Sequence, residues 1–127
     1  MIFDSDVLIE FLAKNPVAAE RISSVSHQDR NLSVISYLEV LYGCRNKQEF
    51  QEFQQFIAAT FAEVIPLNEA VSTNAIHLME RHVLARRLGT ADALIAATAL
   101  ARNEPLVTGN LKHFSFIPGL VVTTFRN

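Results

Sequence analysis

Brief apolar runs alternate along this chain with longer stretches whose apolar residues recur at helical spacing, which predicts strands and helices in turn. Met1 to Phe3 reads as a strand ending at Asp4, and Val7 to Ala13 as a helix. Asn15-Pro16 then resets the chain. Asparagine as N-cap with proline at the first helical position opens a second helix, running to about Val25. His27 to Asn31 is polar and loop-like, and Leu32 to Ile35 is a second strand. Ser36 opens a third helix, Tyr37 to about Arg45. A fourth spans Lys47 to Ala62, with Phe50, Phe53, Phe56, Ile57 and Phe61 near helical spacing. Val64 to Leu67, bounded by Pro66 and Asn68, is a third strand. A long helix follows from Glu69 to about Leu88, with Gly89 as its C-cap. Asp92 to Arg102, dense in alanine and leucine, is another helix. Leu106 to Thr108 and Val121 to Phe125 complete five short strands.

Strands separated by helices predict an α/β layered fold around a mainly parallel sheet. Such sheets place ligands beyond the carboxyl ends of their strands. Asp4 stands just past the first strand and Asn110 just past the fourth. Repeats, low-complexity tracts and Gly/Ser-rich linkers are absent, so residues 1–127 are expected to form one domain.

Half of the 127 residues are hydrophobic and 19% are charged, enough to build a core without staples. Cys44 is the only cysteine, which rules out an internal disulfide; it falls in an apolar helical stretch and reads as packing. No apolar run approaches the roughly 20 residues of a membrane span, and Met1-Ile2-Phe3-Asp4 lacks the order of a secretion signal. A soluble cytoplasmic protein is the expectation. The net charge is −2 and the isoelectric point about 6.0. That counts against binding nucleic acid by a broad basic surface alone, and any RNA chemistry is expected at a local, metal-bridged site.

Three acids carry the chemistry, and each also has a plain structural reading. Asp4 follows an apolar run with Asp6 two residues on. One of them can cap the helix that follows, but two carboxylates so close repel unless a cation or hydrogen bond compensates. Glu39 lies in Ser36-Tyr37-Leu38-Glu39, which fits a capping box and equally an acid aimed at the end of the sheet. Asp92, in Gly89-Thr90-Ala91-Asp92, suits the first turn of a helix on dipole grounds and could also meet Asp4 across the sheet edge. Hard cations such as Mg²⁺ want oxygen ligands, and such a cation can support phosphodiester hydrolysis. Histidine and cysteine at zinc spacing, a phosphate-binding GxxxxGK[ST] loop and a serine elbow are all missing.

Four segments in order resemble the PIN-domain family, and within it the VapC-like toxins of toxin–antitoxin pairs. They are Met1-Ile2-Phe3-Asp4-Ser5-Asp6-Val7-Leu8-Ile9, Ser36-Tyr37-Leu38-Glu39-Val40-Leu41-Tyr42-Gly43, Thr90-Ala91-Asp92-Ala93-Leu94-Ile95-Ala96-Ala97-Thr98-Ala99 and Leu106-Val107-Thr108-Gly109-Asn110-Leu111-Lys112-His113-Phe114. The resemblance implies a three-layer sandwich and a Mg²⁺- or Mn²⁺-dependent endoribonuclease. By matching position, Asp4, Glu39 and Asp92 look like its metal-binding acids, and Ser5 like its small hydroxyl residue. A fourth acid of the last motif is matched only by Asn110 and His113. Asp6 replaces a common asparagine and is expected to restore the missing negative charge. His113 could give a proton or touch phosphate, or simply pack beside Phe114. The resemblance further implies a structured RNA substrate such as transfer RNA, a cognate antitoxin docked on helices near the site, and a homodimer.

Positive charge is densest in Glu80-Arg81-His82-Val83-Leu84-Ala85-Arg86-Arg87. Arg86 and Arg87 are a solvated helix end or a contact for RNA phosphate. Among rival readings, a haloacid-dehalogenase-type phosphatase accounts for Asp4-Ser5-Asp6 but lacks its later acid pair. A receiver domain needs a phosphoacceptor aspartate beyond a middle strand, and Val64 to Asn68 offers none. A PIN-like module that binds RNA or protein without cutting is the alternative that remains.

Overall fold

The computed structural model of the protein describes residues 1–125. In chain order its elements are β1 (Ile2–Phe3), α1 (Ser5–Leu12), α2 (Pro16–Ser23), β2 (Asn31–Ser33), α3 (Val34–Gly43) and α4 (Lys47–Thr60). They continue with β3 (Glu63–Ile65), α5 (Glu69–Arg86), α6 (Thr90–Arg102), β4 (Leu106–Thr108) and β5 (Val122–Thr124). Short 3₁₀ turns fall at His27–Asp29 and Leu111–His113.

The strands make one sheet in the order β3-β2-β1-β4-β5. Every pairing is parallel, with Ile2 beside both Asn31 and Leu106, and Phe3 beside Val107. The three central strands are buried throughout, which a parallel sheet requires because helices cover both its faces. Alternate residues serve opposite faces. Ile2 and Leu106 join α5, α6, Phe114 and Ile117 in one apolar cluster. Phe3, Val107 and Leu32 join α1, α2 and α4 in the other. Phe3, Phe53 and Phe114 are fully buried, each contributing about 1.5–3 kcal/mol by leaving water. The expected layered α/β fold with five short strands is the one observed.

Helix α3 touches both layers: Ile35 packs against the first cluster and Val40 belongs to the second. It thus crosses the edge of the sandwich next to the carboxyl ends of the strands. After β1 the chain builds outward through β2 and β3, then returns to add β4 and β5 on the other side. The reversal falls between β1 and β4, the position where open α/β sheets bind ligands.

Several boundaries shift by one to three residues, among them α1 from Ser5 and β3 at Glu63–Ile65, and two of the shifts bear on the site. The second strand ends at Ser33, whose hydroxyl accepts from the Ile35 amide and caps α3. Ser36 is an interior helical residue, wholly buried, so Ser36-x-x-Glu39 is not a capping box. Apolar Val34 and Ile35 suit either a strand or a helix core, and the cap at Ser33, ahead of both, decides the matter. Gly89 is likewise not the C-cap of α5. Arg87 takes the left-handed conformation there (φ 54°), and Gly89 becomes the N-cap of α6, leaving Thr90 as its first residue.

Candidate functional site

Asp4 leaves β1 directly into α1 and is 5% exposed. Its Oδ1 accepts from the Ser5 amide at 2.8 Å, so the capping reading holds. Its Oδ2 accepts from the Thr108 hydroxyl at 2.8 Å, at the end of the neighbouring strand β4. Burial pushes the Asp4 carboxyl up to about 7, and the charge of Asp6 and, more weakly, Asp92 add to the rise; the bonds from Thr108 and Ser5 oppose it. Capping therefore explains half of this carboxylate and leaves a buried acid among other acids.

Glu39 lies in the second turn of α3, since the helix starts at Val34. With the capping box gone, its place is set by α3 crossing the strand ends. Partial burial raises its carboxyl, Asp92 adds to the rise, and a bond from the Ser5 side chain holds it down. Ser5 Oγ also lies 3.5 Å from Asp4 Oδ1. The small hydroxyl thus stands between the first acid and the second.

Asp92 occupies the first turn of α6, as expected. Burial raises its carboxyl and His113 lowers it, with Nδ1 3.1 Å from Asp92 Oδ2. Asp4, Glu39 and Asp92 lie in three elements far apart in sequence, and each of the first two feels Asp92. The structure brings them into one electrostatic neighbourhood at the switch point.

Asp6 also faces this end of the sheet: its Oδ2 accepts from the Gly109 amide at 2.8 Å. The Asn110 amide donates to Thr108 Oγ at 3.0 Å, and the 3₁₀ turn after it returns His113 to Asp92. Arg86 is placed differently. Its guanidinium sits 5.3 Å over the Phe116 ring, three residues beyond His113, rather than against the acids. Arg87 closes α5. Thr108 is the site residue that pattern alone does not single out; the signal available is a hydroxyl ending a strand just before Gly109-Asn110.

The two ends of the sheet contrast electrostatically. At the amino ends charges pair off, with Asn31 and Arg102 on Glu104 and Arg102 on Glu63 at 2.7 Å. At the carboxyl ends carboxylates face carboxylates. Among the described residues no lysine or arginine forms an ion pair with Asp4, Glu39 or Asp92, and His113 is the basic side chain that reaches them. Nor do three His, Cys, Asp or Glu side chains among the described residues close into a ready-made ligand cage. The donor set is all oxygen, mutually repulsive and open. It fits a hard divalent cation that keeps several of its own waters, rather than one wrapped in protein.

Residues 1–117 match the sequence model of the PIN domain. The chain is 34% identical over 117 residues to Ribonuclease VapC10 of Mycobacterium tuberculosis, covering 90% of this chain and 85% of that one. Among solved structures, a toxin-antitoxin complex from Klebsiella pneumoniae superposes with a TM-score of 0.82 at 26% identity, covering 99% of this chain and 98% of that one. VapBC2 from Rickettsia felis, bound to a DNA fragment from its promoter, gives 0.79 at 25% identity and 98% coverage of both chains. VapBC-1 from nontypeable Haemophilus influenzae gives 0.79 at 25% identity over the whole of both chains.

Proposed function

The chain belongs to the PIN domain family, and from that membership we propose that it is a Mg²⁺- or Mn²⁺-dependent endoribonuclease acting as the toxin of a toxin–antitoxin pair. The observation that carries the reading is Asp4: a buried acid at the switch point, surrounded by acids and lacking a basic partner among the described residues. Repulsion of this kind destabilises the protein unless a cation belongs there.

In this reading Asp4 and Asp92 hold the cation, with Glu39 beside it directly or through water. When bound, a divalent cation supplies charge compensation at the scissile phosphate and eases deprotonation of the attacking water. Glu39, with the Ser5 hydroxyl beside it, would orient that water in line with the phosphorus. As the water oxygen bonds to phosphorus, the bond from phosphorus to the 3′ oxygen breaks. The departing oxygen takes up a proton, leaving a 5′ phosphate and a 3′ hydroxyl. His113, oriented by Asp92 and 58% exposed, stands where it can meet the phosphate or supply that proton. Asn110 offers a neutral amide on the same loop. Arg86 and Arg87 are read as contacts for flanking phosphates, and structured RNA such as transfer RNA as the substrate.

A cognate antitoxin is part of the proposal. A groove between α1, α3 and α4 has Leu12, Val40 and Cys44 in its lining with Glu39, Glu49 and Glu52, and Arg45 there already pairs with Glu49 at 2.8 Å. Glu39 is shared with the acid centre, so a partner helix seated here with a basic residue would cover the site. The homodimer belongs to the same proposal; Tyr42 on α3 is 94% exposed, ample for a second copy to cover. A cytoplasmic place of action is included. The structural finding is that no helix among the described residues is long and apolar enough to cross a membrane.

The test is RNA cleavage by the purified chain with Mg²⁺, with chelator, and in Asp4→Asn and Asp92→Asn. Cleavage that needs the metal and both acids supports the reading. A native chain that binds RNA without cutting it favours the non-cutting module, and equal cleavage by all three proteins rules out this centre.

A further inference from the structure

The chain leaves β4 through two neighbouring struts. Thr108 donates to Asp4 Oδ2 at 2.8 Å, and the next amide, Gly109, donates to Asp6 Oδ2 at 2.8 Å. The second strut is tight. A Cβ on Gly109 would stand 2.7 Å from that same Asp6 oxygen and 2.7 Å from Cε1 of Phe125. Only hydrogen fits between the acid and the ring. Beyond the struts the loop turns at Leu111–His113 and sets His113 Nδ1 3.1 Å from Asp92 Oδ2. Asp6 on α1 and Asp92 on α6 thus anchor the two ends of one short loop that crosses the acid centre.

Resting on the nuclease reading, we propose that Asp6 is a positioning residue. Its carboxylate clamps the Gly109 amide, and the clamp aims Asn110 and His113 at the centre held by Asp4, Glu39 and Asp92. What the position requires is then a hydrogen-bond acceptor aimed at Gly109, whereas a role in replacing a missing charge would require the charge itself. The two differ in what asparagine does. Asn Oδ1 accepts from an amide as a carboxylate oxygen does, yet carries no charge. Gly109 is the other half of the clamp, because any side chain there pushes the acid and the ring away.

The experiment compares the full chain with Asp6→Asn, Asp6→Ala and Gly109→Ala. Three quantities are measured: hydrogen exchange of the amides from Gly109 to His113, Mn²⁺ affinity by calorimetry, and kcat and KM on an RNA substrate. The clamp predicts that Asp6→Ala and Gly109→Ala speed exchange in that loop at least about tenfold. They lower kcat by about ten- to a hundredfold, as loss of a group supporting a metal centre does, while KM and Mn²⁺ affinity stay within about threefold. Asp6→Asn should restore exchange and kcat to within about threefold of the native chain. If Asp6→Asn behaves like Asp6→Ala, or loses Mn²⁺ affinity, the charge matters and the clamp is wrong. Unchanged loop exchange in Asp6→Ala also overturns it. Should the native chain cut no RNA, the nuclease reading fails on its own, and the exchange comparison of Asp6→Ala with Asp6→Asn still decides the clamp.

Discussion

The Thr108 hydroxyl donates to Asp4 Oδ2 across 2.8 Å, joining the carboxyl ends of two adjacent strands that lie 104 residues apart in the chain. The bond steadies a carboxylate that burial and two neighbouring acids otherwise push toward its neutral form. Burial of Asp4 and the charge the site needs are therefore in conflict, and stability should register it.

The metal-free chain should lose stability as pH rises. Asp4 moves from its usual 3.8 to about 7 in the folded state. Between those values folded Asp4 keeps a proton that the unfolded chain has released, so folding weakens from about pH 4 to about pH 7 and this contribution then levels off. Glu39 and Asp92 are raised in the same direction. Asp4→Asn removes the largest share while keeping a side chain able to cap α1. Its metal-free melting midpoint at pH 8 should exceed the native one by several degrees, about 1–2 kcal/mol, and the gain should vanish near pH 4. Thermal melts in chelator across that range check it.

Ser33 and Ser36 should respond oppositely to alanine. Ser33 caps α3 at 3.0 Å, so Ser33→Ala should cost about 1 kcal/mol. Ser36 Oγ is buried with no hydrogen-bond partner among the described residues. Ser36→Ala should therefore be neutral or stabilising by up to about 1 kcal/mol. Urea unfolding of both variants checks this. A larger loss at Ser36 than at Ser33 would restore the capping box.

Arg86 and Arg87 are separable by salt. Removing one cation from an RNA phosphate should flatten the slope of log affinity against log salt by about 0.7 on single-stranded RNA. Arg86→Ala should show this change, since Phe116 holds its guanidinium beside the loop that carries His113. Binding titrations at several salt concentrations measure the slope, and an unchanged slope in the double alanine variant removes both residues from the RNA path.

The groove between α1 and α3 should admit the antitoxin. Ile9 lies in its lining and is 54% exposed. Ile9→Glu should abolish co-purification of the co-expressed cognate antitoxin and leave the melting midpoint of the isolated chain within about two degrees. Undiminished co-purification places the partner elsewhere.

The sheet was legible because its strands are short and bounded by helix, cap or turn signals, β4 alone of the central three leading into a loop rather than a helix. Asp4 and Asp92 were legible for the same reason, since both fall where an apolar element begins or ends. Glu39 was harder. Its capping box is locally persuasive, but the cap three residues earlier at Ser33 starts α3 at Val34 and leaves Ser36 buried inside it. Thr108 and the Asp6 bond to Gly109 were out of reach, because each depends on partners more than a hundred residues away. Arg87 in the left-handed region shows a glycine nearby losing a role that propensity assigns to it: the helix ended two residues early and Gly89 opened the next one.

Mn²⁺ binding by calorimetry at pH 7.5, on the native chain and on Asp4→Asn, Glu39→Gln and Asp92→Asn, tests the acid centre most directly. Saturable binding by the native chain is expected, weakened at least about tenfold by Asp4→Asn and by Asp92→Asn, and less by Glu39→Gln. Equal Mn²⁺ affinity in the native chain and all three variants would contradict it.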